Sequence, residues 1–290
     1  MKREGEGVKR PLGVLLIIIG IFIAFSTIFQ PLISSNRTST VSEQGINIDG
    51  YDKLSITTSV ADLNIRQYPG EELMLEVKGN SSNYHIQSES KKSILEIEIK
   101  SNKRWQFFNA SKSSVDILIP NHYTRSVTIE NTVGDLRFQS PLTLAELNIK
   151  MTAGDVKGLT GSIDHLTFHS TAGDFHAYDL NSVSTEIKGT AGDFRIERFT
   201  GDLKGKNTAG DITVEYKREN GDIELQTTAG DVRLSIPEPS FELNASTTLG
   251  DVSINIPIML EQSGKTYKGV VNNGEKKVKV STTIGDIQID

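Results

Sequence analysis

A chain of 290 residues with 36% hydrophobic residues and eight prolines has the composition of one large or two modest folded domains, not of a disordered segment. It contains no cysteine, which excludes disulfides, cysteine-ligated zinc or iron–sulfur sites and a thiol nucleophile. The formal net charge is −6 and no basic stripe is interleaved with aromatics, so nucleic acid is not an expected partner.

Residues 1–10 form a short head in which Lys2, Arg3, Lys9 and Arg10 outnumber Glu4 and Glu6. From Leu12 to Phe29 no residue is charged, and a helix of this length spans about 27 Å, close to a bilayer core. The pattern predicts one transmembrane helix over 11–30, with the basic head in the cytoplasm and the remainder outside. A cleaved signal peptide is the competing reading, but its apolar region is normally about 7–15 residues followed by a small-x-small site, whereas here the run is longer and no Ala-x-Ala follows it. Residues 31–45, rich in Ser and Thr, read as a stalk. Beyond residue 30 the chain holds 31 − 4 = 27 basic and 37 − 2 = 35 acidic residues, a net of −8 that gives no reason to lie on anionic lipid.

Residues 46–125 read as irregular coils and a cap. Thr58-Ser59-Val60-Ala61-Asp62-Leu63 is an early, blurred form of a phrase that becomes regular later, with alanine where glycine later stands. Strands are expected at Leu73–Val77, Ile94–Ile99 and Val115–Ile119, where apolar residues alternate or run together. Trp105, Phe107 and Phe108 cluster in this segment. They read either as a loop folded over the open end of a core or as an exposed aromatic contact for sugar or protein.

Residues 126–290 carry the phrase that organises the chain. Thr-Ala-Gly-Asp stands at Thr152–Asp155, Thr171–Asp174, Thr190–Asp193, Thr208–Asp211 and Thr228–Asp231, with variants at Thr132–Asp135, Thr248–Asp251 and Thr283–Asp286. The glycines and aspartates are therefore Gly134 and Asp135, Gly154 and Asp155, Gly173 and Asp174, Gly192 and Asp193, Gly210 and Asp211, Gly230 and Asp231, Gly250 and Asp251, and Gly285 and Asp286. Successive aspartates are 20, 19, 19, 18, 20, 20 and 35 residues apart. A fixed period near 19 marks a structural repeat. After each aspartate apolar residues alternate, as in Ile212, Val214 and Tyr216, which is the pattern of a strand with one buried face. Gly-Asp also recurs half a period later, at Gly201-Asp202 and Gly221-Asp222, so one period holds two strands and two turns.

These features predict an all-β, β-helix-like solenoid of about 19-residue coils with Thr-x-Gly-Asp turns, behind one transmembrane helix. Some twelve periods fit between Asp62 and Asp286, and an antiparallel sandwich or barrel is the alternative. Glycine supplies positive φ and aspartate bonds nearby backbone N–H groups, so the aspartates read as turn formers. Stacking would place like aspartates about 4.8 Å apart, which raises a calcium row as a second reading; the nine-residue calcium-binding repeat has a different period. No cofactor and no metal are expected. His165 and His169 would lie about 13 Å apart on one side of a strand, too far to share an ion. No nucleophile elbow, phosphate loop or dinucleotide fingerprint occurs, and the chain does not read as an enzyme.

Carried by those eight phrases, the chain resembles the bacterial putative-adhesin family of repeat-built β proteins over roughly residues 50–290. The basic head and single span resemble membrane-anchored members from envelope-stress operons of Bacillus and its relatives. The resemblance implies a parallel solenoid at the cell envelope and brings no catalytic residues. Its implied partners are the membrane and other envelope proteins or cell-wall polymer.

Overall fold

The computed structural model describes residues 43–78, 84–101 and 114–290. The helix expected over 11–30 and the cluster of Trp105, Phe107 and Phe108 lie outside the described residues. Among the described residues no helix is long and apolar enough to cross a membrane.

Strand alternation accounts for the local structure. In β2 (Lys53–Val60) Leu54, Ile56 and Thr58 point inward and their neighbours outward, and the same period of two runs through the later strands. Before β2 lies β1 (Glu43–Asn47); after it come β3 (Asp62–Tyr68), β4 (Glu72–Lys78), β5 (Tyr84–Lys91), β6 (Ile94–Ser101) and β7 (Ser114–Pro120). The middle of the chain forms β8 (Ser126–Val133), β9 (Leu136–Phe138), β10 (Leu142–Ala153), β11 (Val156–Ala172), β12 (Phe175–Ala191), β13 (Phe194–Lys206) and β14 (Ile212–Tyr216). It closes with β15 (Ile223–Ala229), β16 (Val232–Ser235), β17 (Phe241–Leu249), β18 (Val252–Ile254), β19 (Met259–Ser263), β20 (Thr266–Val271), β21 (Lys276–Ile284) and β22 (Ile287–Ile289).

Coil stacks on coil in parallel. One inward row shows the whole stack: Ile97, Ile56, Ile129, Ile149, Phe168, Ile187, Gly205, Leu225, Val280 and Ala245 are successive register partners. The sandwich or barrel alternative is thereby excluded, because among the described residues antiparallel pairs occur only at the two ends. There β5 lies on β6, β4 on β7 and β1 on β4, while β20 lies on β17 and β19 on β20. The row has ten members, not the twelve expected, because residues 72–91 and 259–271 build these antiparallel end pieces instead of coils.

Stacking order is not chain order. The coil β2–β3 sits between β6–β7 and β8–β9. At the other end β21–β22 sits between β15–β16 and β17–β18. Each end of the stack thus has its earliest or latest coil threaded in one place from the edge.

The interior is one continuous apolar column. At its centre the Phe168 ring lies 4.7 Å from Phe175 and 6.2 Å, edge-on, from Phe194. Burying such a side chain contributes about 1.5–3 kcal/mol. At Gly205 the column is tight: a Cβ there would stand 3.0 Å from Leu225 Cδ2.

Candidate interaction surface

Each Thr-x-Gly-Asp phrase makes the corner between two strands of a coil. The eight glycines Gly134, Gly154, Gly173, Gly192, Gly210, Gly230, Gly250 and Gly285 all have φ between 128° and 148°, a region that side chains rarely enter. Close approach reinforces the requirement. A Cβ on Gly192 would stand 2.1 Å from the carbonyl oxygen of Gly173 in the adjacent coil.

This corner turns one backbone N–H per coil, that of the aspartate, toward the neighbouring coil, and the neighbour's carboxylate accepts it. Oδ1 of Asp62 accepts from Asp135, Asp135 from Asp155, Asp155 from Asp174, Asp174 from Asp193, Asp193 from Asp211 and Asp211 from Asp231. Beyond the threaded coil the order becomes Asp231, Asp286, Asp251. All eight bonds measure 2.8–3.0 Å. An ionised carboxylate can only accept, so a short acidic side chain fits this duty. Asp202 and Asp222 repeat the device at a second corner, where Asp202 accepts from Asp222 N–H at 2.9 Å and Asp222 from Lys277 N–H at 2.8 Å.

Two residues beyond each aspartate from Asp135 to Asp231 an outward column of mostly basic side chains runs alongside: Arg137, Lys157, His176, Arg195, Thr213 and Arg233. Arg137 Nη2 lies 2.7 Å from Asp135 Oδ2, and Lys157 Nζ lies 2.8 Å from Asp155 Oδ2. Burial opposes the Asp155 charge, but Lys157, the Asp174 N–H and Arg137 outweigh it and hold the carboxyl below its usual range. The hydrogen bond to Asp155 raises Lys157 in turn. Asp174, Asp193 and Asp211, in the middle of the ladder, make no ion pair among the described residues; they line an open groove of about 550 Å³ with Lys157, His176, Arg195 and Arg233. Sequence reading passed over this basic column, whose signal was its constant offset from the aspartates.

A second groove, of about 630 Å³, crosses five coils. Its walls are the row His165, Ser184, Asp202, Asp222 and Lys277 and the row Thr167, Glu186, Lys204, Glu224 and Lys279. Lys188 holds Glu186 below the usual carboxylate range. Burial pushes Glu224 up, but Lys204, Lys206 and Lys279 outweigh it and lower it too. The histidines do not converge. His165 bonds Ser184 Oγ at 2.9 Å, His176 faces Glu197 at 3.3 Å, and His169 is half-buried with its charged form disfavoured by burial and by Lys188. Among the described residues no three His, Cys, Asp or Glu side chains are placed to hold a metal ion.

Comparison with known proteins bears on this architecture. The sequence model of the Toastrack DUF4097 family matches residues 51–290, most of the chain. The chain belongs to the Toastrack DUF4097 family. Solved structures similar to this Toastrack chain include a "putative adhesin" from Parabacteroides distasonis, 15% identical with a TM-score of 0.44, covering 87% of this chain and 98% of that one. One of the same description from Bacteroides fragilis is 16% identical with a TM-score of 0.41, covering 90% of this chain and 100% of that one. No curated protein matches the Toastrack chain.

Proposed function

We propose that this Toastrack protein is a non-enzymatic, membrane-anchored solenoid on the outer face of the bacterial envelope, accessory to envelope-stress sensing or maintenance in the manner of LiaG. The observation that carries the non-enzymatic part is the use made of its carboxylates. Every ladder aspartate but the terminal Asp251 accepts the next coil's N–H, and the groove residues Glu186 and Glu224 are held below the ordinary range. A general acid needs the opposite shift. Anchoring rests on the sequence alone, on four basic residues before the uncharged run Leu12–Phe29.

Protease added to intact protoplasts tests the topology. The expected result is loss of the outer domain and retention of a fragment of about 3 kDa, the mass of the first 30 residues at roughly 110 Da each. A protected full-length chain, or a soluble form in the medium, refutes the anchor. A wall- or carbohydrate-binding role is the second reading, favoured by the 630 Å³ groove whose polar rows run along the stack. Binding to purified cell wall that is lost in Glu186→Gln/Glu224→Gln, with an unchanged melting curve, supports it; equal binding by that variant removes the groove from consideration.

A further inference from the structure

The threaded coil β21–β22 occupies a place that the stack could also do without. Val278 lies between Ile223 and Leu243, Val280 between Leu225 and Ala245, and Thr282 between Thr227 and Thr247, so β15 and β17 already share one register. The polar bonds are interchangeable as well. Asp286 N–H bonds Asp231 Oδ1 at 2.8 Å, and Asp251 N–H bonds Asp286 Oδ1 at the same distance. Thr282 Oγ1 donates to Gly230 O and Thr247 Oγ1 to Gly285 O, both at 3.0 Å. With β21–β22 removed, Asp251 and Thr247 meet Asp231 and Gly230 in the same roles.

Chain order makes that alternative reachable. β17 follows β16 after only residues 236–240, whereas β21 arrives after the whole β19–β20 hairpin. A growing or refolding chain therefore presents β15–β16 and β17–β18 before β21–β22 is available to lie between them. The coil still to be placed carries Val278, Val280, Ile287 and Ile289, side chains that are fully buried in the finished fold. Exposed apolar strands with free edges pair with whatever offers the matching rows. The opposite end has no such hazard: β2–β3 precedes both of its neighbours in the chain, and they assemble around it.

We infer that the place between β15–β16 and β17–β18 is a docking site for the β21–β22 coil of a second copy of this chain, so that two copies can exchange these coils. The exchanged form makes the same bonds as the monomer and needs no new interface, which is the condition under which swapping is cheap. Residues 272–275, with Asn272 at φ 51° and Gly274 at φ 64°, form the tight turn that would open as the hinge.

The absence of cysteine allows a direct test in the full-length chain. Gln226 and Ser281 are register partners across the β15–β21 junction. One tagged copy carries Gln226→Cys and a differently tagged copy carries Ser281→Cys, co-expressed in one cell, and whole cells are oxidised. The expected result is a mixed disulfide dimer far above that of a control pair, Gln226→Cys with Lys265→Cys, and above that of copies expressed separately and then mixed. By mass action a twofold rise in expression should raise its ratio to monomer about twofold. Mixed dimer no greater than in the control pair overturns the inference. A single chain carrying both cysteines should close on itself; failure to do so overturns the threaded placement on which the inference depends.

Discussion

Replacing Gly192 by alanine should be among the most damaging single-methyl changes that this chain can suffer. At φ 129° any side chain is strained, a cost of about 1–3 kcal/mol. The new Cβ would also stand 2.1 Å from Gly173 O and 2.5 Å from Gly173 C, so the two coils must part at that corner. Parting loosens the Gly173 N–H bond to Ala191 O at 2.9 Å and the Asp193 N–H bond to Asp174 Oδ1 at 2.8 Å. Each is worth about 1 kcal/mol net, which brings the sum to about 3–5 kcal/mol. For a domain of this size that is a fall in Tm of roughly 6–20 °C, read by circular dichroism on residues 43–290. Gly264→Ala is the control: its φ is 61° and nothing stands within 4 Å of the added Cβ, so it should cost about 1 kcal/mol. If the two variants melt within about 2 °C of each other, coil contact at the Gly-Asp corner is not what the glycine serves.

The aspartate ladder, the core and the pH dependence can be checked alongside. Asp193→Asn keeps the acceptor for Asp211 N–H and relieves repulsion from neighbouring carboxylates, so its stability should stay within about 0.5 kcal/mol of wild type; Asp193→Ala should lose about 1 kcal/mol, and equal losses would show that charge, not acceptance, matters. Phe168→Ala should cost about 3–5 kcal/mol in chemical denaturation, since it empties the centre of the aromatic cluster; a loss under about 1 kcal/mol would contradict the packing described. Glu146, held down by Asn148 and then Ser126, and Glu197, held down by Arg195, stabilise the fold above a pH of about 4 and lose that contribution as pH falls through their lowered values. Burial raises Tyr123 from 10.0 to about 12, so its contribution is complete below pH 10 and is lost between the two values. A melting temperature that is flat from pH 2 to pH 12 would refute both assignments.

Much of the coil could be read from the sequence, because period-two alternation and a fixed phrase report local geometry that each coil repeats. Even Ala61 conforms: it stands where other phrases have glycine, and it is not at positive φ. Neighbour order was hidden for the same reason. Coils that share one pattern offer one another the same face, so Thr-Leu-Gly-Asp at Thr248 and Thr-Ile-Gly-Asp at Thr283 do not say which lies next to Asp231. The 35-residue step between Asp251 and Asp286 was the only trace, and it marks the β19–β20 hairpin that lets the chain double back. The basic column was missed because its side chains are ordinary surface residues until stacking lines them up.

The threading of β2–β3 has a mechanical meaning. In a solenoid wound in chain order, the first coil is held by one neighbour and peels away rung by rung under tension. Here a pull at Lys53 loads two parallel ladders at once, because each residue from Lys53 to Thr58 has a partner in both β6 and β8. Force directed along the strand shears these rungs together. The first coil is therefore stitched on both sides, and yielding at that end must begin with the antiparallel strands outside it, leaving the ladder of aspartates closed until they have given way.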